Sequence, residues 1–127
     1  MTTAAARQEQ HTGPRRIGMV VDDDAMVRES VVAVLEDLCD EVYEASDGLE
    51  GIEVLLHHPD ICLVVTDIAM PRLGGIEFVS RARQLLPDLK VLFVSGLQRP
   101  PDNESFLAKP FRARSLVSAV QRLLRTH

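Results

Sequence analysis

An α/β fold, with a parallel sheet covered by helices on both faces, is predicted by three features of this 127-residue sequence. Short apolar runs alternate with segments of helical periodicity. The runs show little polar alternation, as expected of strands buried on both sides. Several of them stop abruptly at a polar residue, and folds of this class bind ligands beyond the carboxyl ends of their strands, where the strand order switches.

Each element follows in turn. Residues 1–14, MTTAAARQEQHTGP, show no apolar period and end in Gly13-Pro14, so they are expected to form a disordered tail before a single domain over residues 15–127. The run RRIGMVV is a first strand that ends in Asp22, Asp23 and Asp24. Val27, Val31, Val34, Leu35 and Leu38 then form a helical stripe, with Asp24 placed to cap its start. EVYEA, residues 41–45, is a second strand. Ser46-Asp47-Gly48 is a turn, and residues 49–57 are a second helix that Pro59 prevents from continuing. ICLVVTD is a third strand ending in Asp67, followed by the loop IAMPRLGG. The helix over about residues 75–86 is expected to carry Ile76, Val79 and Arg83 on one side and Phe78, Ala82 and Leu85 on the other; Pro87 stops it. KVLFV is a fourth strand, residues 106–108 a short fifth, and Leu116, Val117, Val120, Leu123 and Leu124 give a last helix its apolar stripe.

Composition narrows the function. At 46% apolar and 26% charged, the chain is that of an ordinary globular domain rather than a disordered or supercharged one. A net charge of -5 argues against binding nucleic acid through a basic footprint. No apolar run approaches the roughly 20 residues that cross a bilayer, and no signal peptide is present, so a cytoplasmic protein without membrane contact is expected. Cys39 and Cys62 sit among apolar neighbours and are expected to be buried reduced thiols rather than a disulfide or zinc ligands.

The strand ends bring together Asp22, Asp23 and Asp24 from the first strand, Asp67 from the third, Ser95 from the fourth and Lys109 from the fifth. Carboxylates converging on one crevice repel: two unit charges ~5 Å apart cost about 3 kcal/mol at an effective dielectric of ~20. A cation should lie between them. Oxygen ligands without His or Cys nearby favour Mg²⁺, which retains waters and takes one or two carboxylates plus phosphate oxygens. Lys109 adds a mobile point charge and Ser95 a hydroxyl donor. These are the parts of a phosphoryl-transfer site, with Asp67 as the nucleophile.

The strings VVDDD, VVTDIAMPRLGG, VLFVSG and FLAKPF resemble, in order and on the expected elements, the signatures of the receiver domain of two-component response regulators. The resemblance covers about residues 15–126. It implies a flavodoxin-like, doubly wound, five-stranded parallel sheet in the order 2-1-3-4-5, and a phosphoryl group accepted by Asp67 from a sensor histidine kinase or a histidine phosphotransfer protein. It implies further that Asp22 and Asp23 organise Mg²⁺, with Asp23, Asp67 and the backbone carbonyl of Ala69 as direct ligands and Asp22 acting through water. Lys109, expected to precede Pro110 through a cis bond, pairs with the phosphoryl oxygens. Ser95 takes the place of the switch hydroxyl and Phe106 that of the switch aromatic, with Phe106 as simple core the alternative. Asp24 remains a helix cap.

One segment departs from the family pattern. SGLQRPPDNES, between the fourth strand and Phe106, holds Pro100-Pro101 and no apolar residue but Leu97, so no amphipathic helix can be written into it. The fourth helix of the family is therefore expected to be missing or cut to a turn. His11, His57, His58 and His127 are expected on the solvated surface, as are Arg112, Arg114, Arg122 and Arg125, the last four also offering a docking patch for an acidic partner.

The expected protein is a receiver that signals through protein contacts and is not an enzyme. Because the sequence starts at Met1 and ends after the last helix, a stand-alone domain without an output module is expected, a fragment of a larger regulator or hybrid kinase being the alternative. Two rivals are a degenerate receiver that binds partners without phosphorylation and a Mg²⁺-dependent phosphohydrolase using Asp67. The second would want an Asp two residues after the nucleophile, where this chain has Ala69.

Overall fold

The computed structural model describes residues 13–125. It contains β1 (Ile17–Val21), α1 (Ala25–Glu36), β2 (Glu41–Ala45), α2 (Gly48–His57), β3 (Leu63–Asp67), α3 (Gly75–Leu85), β4 (Lys90–Ser95), β5 (Ser105–Ala108) and α4 (Ala113–Arg125). The five strands form one parallel sheet in the order β2-β1-β3-β4-β5, as expected. Most of the tail expected over residues 1–14 lies outside the described residues.

Burial explains the order. Every residue of β1 and β3 is buried, and all of β4 except its first. β2 and β5 are only partly covered, and they are the two edges. Glu41 and Glu44 on β2 place charge where an exposed apolar edge would invite pairing with another chain. Successive residues of the central strands point to opposite faces. Met19, Val21, Val64, Val91 and Phe93 therefore join one core with Leu55 of α2 and Phe78, Val79 and Ala82 of α3. Val20, Leu63, Val65, Leu92 and Val94 join another with Val31 and Leu35 of α1 and Leu116 and Val120 of α4.

Helix starts are fixed locally. The Asp24 carboxylate accepts the amides of Met26 and Val27 at 3.0 and 3.3 Å, the cap expected for α1. Asp47, read from sequence only as part of a turn, caps α2 by accepting the Glu50 amide at 2.9 Å. In α3 the buried face is Gly75, Phe78, Val79 and Ala82, while Ile76 and Leu85 are exposed. The expected division of that helix into two sides is corrected: a stripe at i, i+3, i+4 and i+7 faces the sheet.

No helix occurs between β4 and β5. The register shows why none is needed. Ser105 pairs with Leu92 and Ala108 with Ser95, so the return from the end of β4 covers only three residues, ~10 Å at strand spacing. Nine residues, 96–104, lie between the two strands.

Cys39 is buried and Cys62 half-buried, both unpaired; the expectation of two buried thiols holds for the first. Burial pushes the Cys39 thiol up to about 12, with Cys62 adding to it. His57 is exposed, whereas His58 stacks on Tyr43 with ring centroids 4.0 Å apart and is not simply solvated. His11 and His127 lie outside the described residues.

A Cβ at Gly75 would lie 2.0 Å from the Asp67 carbonyl oxygen, a backbone atom with little room to move, whereas one at Gly96 would meet nothing within 4 Å. Gly75→Ala is expected to lose about 1–3 kcal/mol, as overpacked sites do, and Gly96→Ala to stay within about 0.5 kcal/mol. Urea denaturation of the two variants checks the contrast.

Candidate functional site

The site lies at the carboxyl ends of β1, β3, β4 and β5. Asp22 follows β1 directly and is 1% exposed; Asp67 is the last residue of β3 and is 8% exposed. Asp23 is exposed. One carboxylate oxygen from each of the three lies within 4.8 Å of the others, an arrangement that could hold a metal ion.

Lys109, just beyond β5, reaches into this cluster. Its Nζ donates to Asp22 Oδ2 at 3.0 Å and to Asp67 Oδ2 at 3.2 Å. The remaining oxygens are held by backbone: Asp22 Oδ1 accepts the Asp24 amide at 2.9 Å, and Asp67 Oδ1 the Ile68 amide at 2.7 Å. The Lys109 amide donates to the Ser95 carbonyl at 2.9 Å, which ties the lysine's backbone to the end of β4. The Lys109-Pro110 bond is cis, as expected.

Electrostatics oppose burial at both ends of this contact. Burial disfavours the Lys109 ammonium, yet the carboxylates of Asp22 and Asp67 outweigh it and raise its pKa. For Asp22, burial is the largest influence and holds the carboxyl above its ordinary range, although the Asp24 amide and Lys109 pull the other way. The cluster thus sets three carboxylates against one ammonium.

Ser95 is buried at the end of β4, and its Oγ accepts the Gln98 amide at 3.2 Å. Ala69 is exposed in the loop after β3. Phe106 stands on β5 opposite Phe93, half-buried against the core beneath α2 and α3. The structure therefore brings Asp22, Asp23, Asp67 and Lys109 into one cluster, sets Ser95 at the neighbouring strand end, and leaves Phe106 apart on the sheet face.

Four nearby side chains escaped the sequence reading. Arg28 Nη1 donates to the Asp22 carbonyl at 2.7 Å while its Nε meets Glu44 at 3.1 Å. Arg72 binds Asp47 Oδ2 through Nε and Nη2, each at 2.7 Å. The Gly48 amide donates to the Leu73 carbonyl at 3.2 Å, so the loop after β3 is tied twice to the start of α2. Arg72 adopts φ 67°, a left-handed conformation uncommon for a residue with a side chain. Only Asp47 left a trace in the sequence, as an acid directly before a helix; the arginines meet partners that a linear pattern does not reveal.

The model of the response regulator receiver domain family matches residues 19–121. This chain belongs to that family. The receiver is 33% identical over 114 residues to the response regulator receiver protein CpdR of Brucella abortus, covering 84% of this chain and 94% of that protein. It is 31% identical to the sensor kinase CckA of the same organism, of which it spans only 12%. Among solved structures it is similar to a response regulator receiver protein from Sinorhizobium medicae, with a TM-score of 0.80 and 27% identity, covering 88% of this chain and 96% of that one. No helix among the described residues is long and apolar enough to cross a membrane.

Two pH-linked outcomes are expected. Asp47 is held below its ordinary pKa, first by the Glu50 amide and then, against burial, by Arg72. A depressed carboxyl stabilises the fold above the unfolded pKa of about 3.9 and loses that contribution as pH falls through the folded value. Asp47→Asn should therefore flatten the fall in urea midpoint below about pH 4. Asp22 has the opposite sign: its raised carboxyl contributes most when protonated and loses that contribution as pH rises through the folded value. Asp22→Asn should raise the melting temperature at pH 7 in EDTA, and an unchanged or lower value would show that the Lys109 contact outweighs burial.

Proposed function

We propose that this receiver domain accepts a phosphoryl group on Asp67 from the phosphohistidine of a sensor histidine kinase or a histidine phosphotransfer protein, and signals in the cytoplasm through protein contacts. The observation that carries this reading is the Asp67 carboxylate: a buried acid at a strand end, with one oxygen against Lys109 Nζ and the other against the Ile68 amide. In transfer, an Asp67 oxygen forms the new bond to phosphorus as the phosphorus–nitrogen bond breaks, and the imidazole leaves with that electron pair. Lys109 and the backbone amide are set to stabilise negative charge on the reacting group. Ser95 supplies a hydroxyl at the adjacent strand end.

The residues present fit Mg²⁺. Three carboxylates with oxygens within 4.8 Å of one another, and no His or Cys among them, make a hard-oxygen donor set. In the proposed set Asp23, Asp67 and the carbonyl of Ala69 are direct ligands and Asp22 acts through water. Bound there, Mg²⁺ would supply the positive charge that neutralises phosphoryl oxygens.

A free-standing role is supported by the 94% of CpdR that the chain covers, although the match to one segment of the kinase CckA shows that the same domain is also used within a longer protein.

Incubation with acetyl phosphate and Mg²⁺, read by intact mass, should add about 80 Da, the mass of one phosphoryl group. Asp67→Asn should abolish the adduct, and Lys109→Ala should slow its formation by roughly a hundredfold, as loss of one transition-state donor does. A folded wild-type protein that gains no mass would instead be a receiver that binds partners without phosphorylation.

A further inference from the structure

The segment over residues 96–104 joins β4 to the edge strand β5 without a helix, and three contacts hold it. At its start, the Gln98 amide donates to Ser95 Oγ at 3.2 Å. One residue on, the Arg99 guanidinium carbon lies 4.8 Å from the centroid of the Phe106 ring, within cation–π range. At its end, Arg83 of α3 donates through Nη1 and Nη2 to both carboxylate oxygens of Glu104, at 2.5 and 3.1 Å. Leu97, just before the first contact, is 99% exposed and makes no anchor of its own.

We propose that Gln98 and Arg99 are positioning residues that couple the phosphoryl site to the packing of Phe106. This rests on the reading of Asp67 as phosphoacceptor and Ser95 as the hydroxyl that meets the phosphoryl group. Ser95 Oγ is the shared atom. It accepts the Gln98 amide now, and a Ser95 side chain that changes χ1 rotamer to bring its hydroxyl to a phosphoryl oxygen carries this acceptor away from the amide. Gln98 must then follow or let go. Arg99 is the next residue, and Pro100-Pro101 behind it fixes two φ angles, so the chain there has little freedom to absorb a shift locally. The paired Arg83 and Glu104 hold the far end. Displacement therefore falls on the guanidinium over Phe106.

Phe106 also packs against the core that includes Phe93, Phe78 and Val79. Arg99 contributes to the unphosphorylated packing alone, whereas the phosphoryl group favours the packing in which Ser95 has turned. That difference is what a shift between two populated states requires. A single side chain takes the place of a helix as the cover of this aromatic.

The four phenylalanines make ring signals tractable by NMR. In wild-type protein, Phe106 resonances should move on treatment with acetyl phosphate and Mg²⁺, with mass spectrometry reporting the adduct on the same sample. In unphosphorylated R99A they should already lie displaced toward the phosphorylated positions, and R99K should restore part of the difference. In Q98P, which lacks the amide that Ser95 accepts, Phe106 should start near its wild-type position and move little although the adduct forms. Coincident Phe106 signals in R99A and wild type, or a full wild-type movement in phosphorylated Q98P, would overturn the coupling alone. A wild-type protein that takes no phosphoryl group overturns the reading of Asp67 and the coupling with it.

Discussion

The ammonium of Lys109 between the carboxylates of Asp22 and Asp67 is the contact on which the strand-end site depends. It joins the ends of β1 and β3 to the residue just beyond β5, the shortest strand and one edge of the sheet. Two buried acids repel each other, and burial raises the cost of ionising Asp22. A lysine on a flexible stem offsets part of that cost without filling the crevice. The result is a site with carboxylate oxygens in excess of local positive charge, a condition that favours binding a cation.

The loops around this cluster are held by backbone more than by side chains. The Gly75 amide donates to the Ile68 carbonyl at 2.8 Å, drawing α3 so close to β3 that a Cβ would collide with the Asp67 carbonyl. The Gly48 amide meets Leu73, and Asp47 grips Arg72, so the loop after β3 is fixed from the neighbouring helix start. Asp47 thereby serves two ends: it caps α2 and anchors the loop that follows Asp67. A frame of this kind keeps the Asp67 carboxylate positioned while leaving Ala69 and Gly96 exposed at the neighbouring loop starts.

The β4–β5 connection closes the sheet without a helix. Because β5 pairs only with the last four residues of β4, a short return closes the sheet. The Arg99 guanidinium lies over Phe106 where no helix stands, and the Arg83–Glu104 pair holds the end of the connection. Contacts of this sort are directional and partly exposed, so they are individually weak and can exchange without unfolding the core.

Much of this was legible in the linear text. Unbroken apolar runs marked the buried strands, their terminal acids and Lys109 marked the site, and Pro100-Pro101 marked the absent helix, because each rests on chemistry local to a few residues. Edge boundaries shifted by a residue or two, and the buried face of α3 was misjudged, because a stripe is chosen by the surface it meets. What the sequence by itself determined is the alternation of elements, the acids at the strand ends and the want of a helix after Ser95. Only the tertiary structure decided which cations face which anions: Lys109 with Asp22 and Asp67, Arg72 with Asp47, Arg83 with Glu104 and Arg99 with Phe106. Apart from the last, those partners lie 21 to 87 residues apart, and a long basic side chain can reach many acids until the fold fixes where its stem begins.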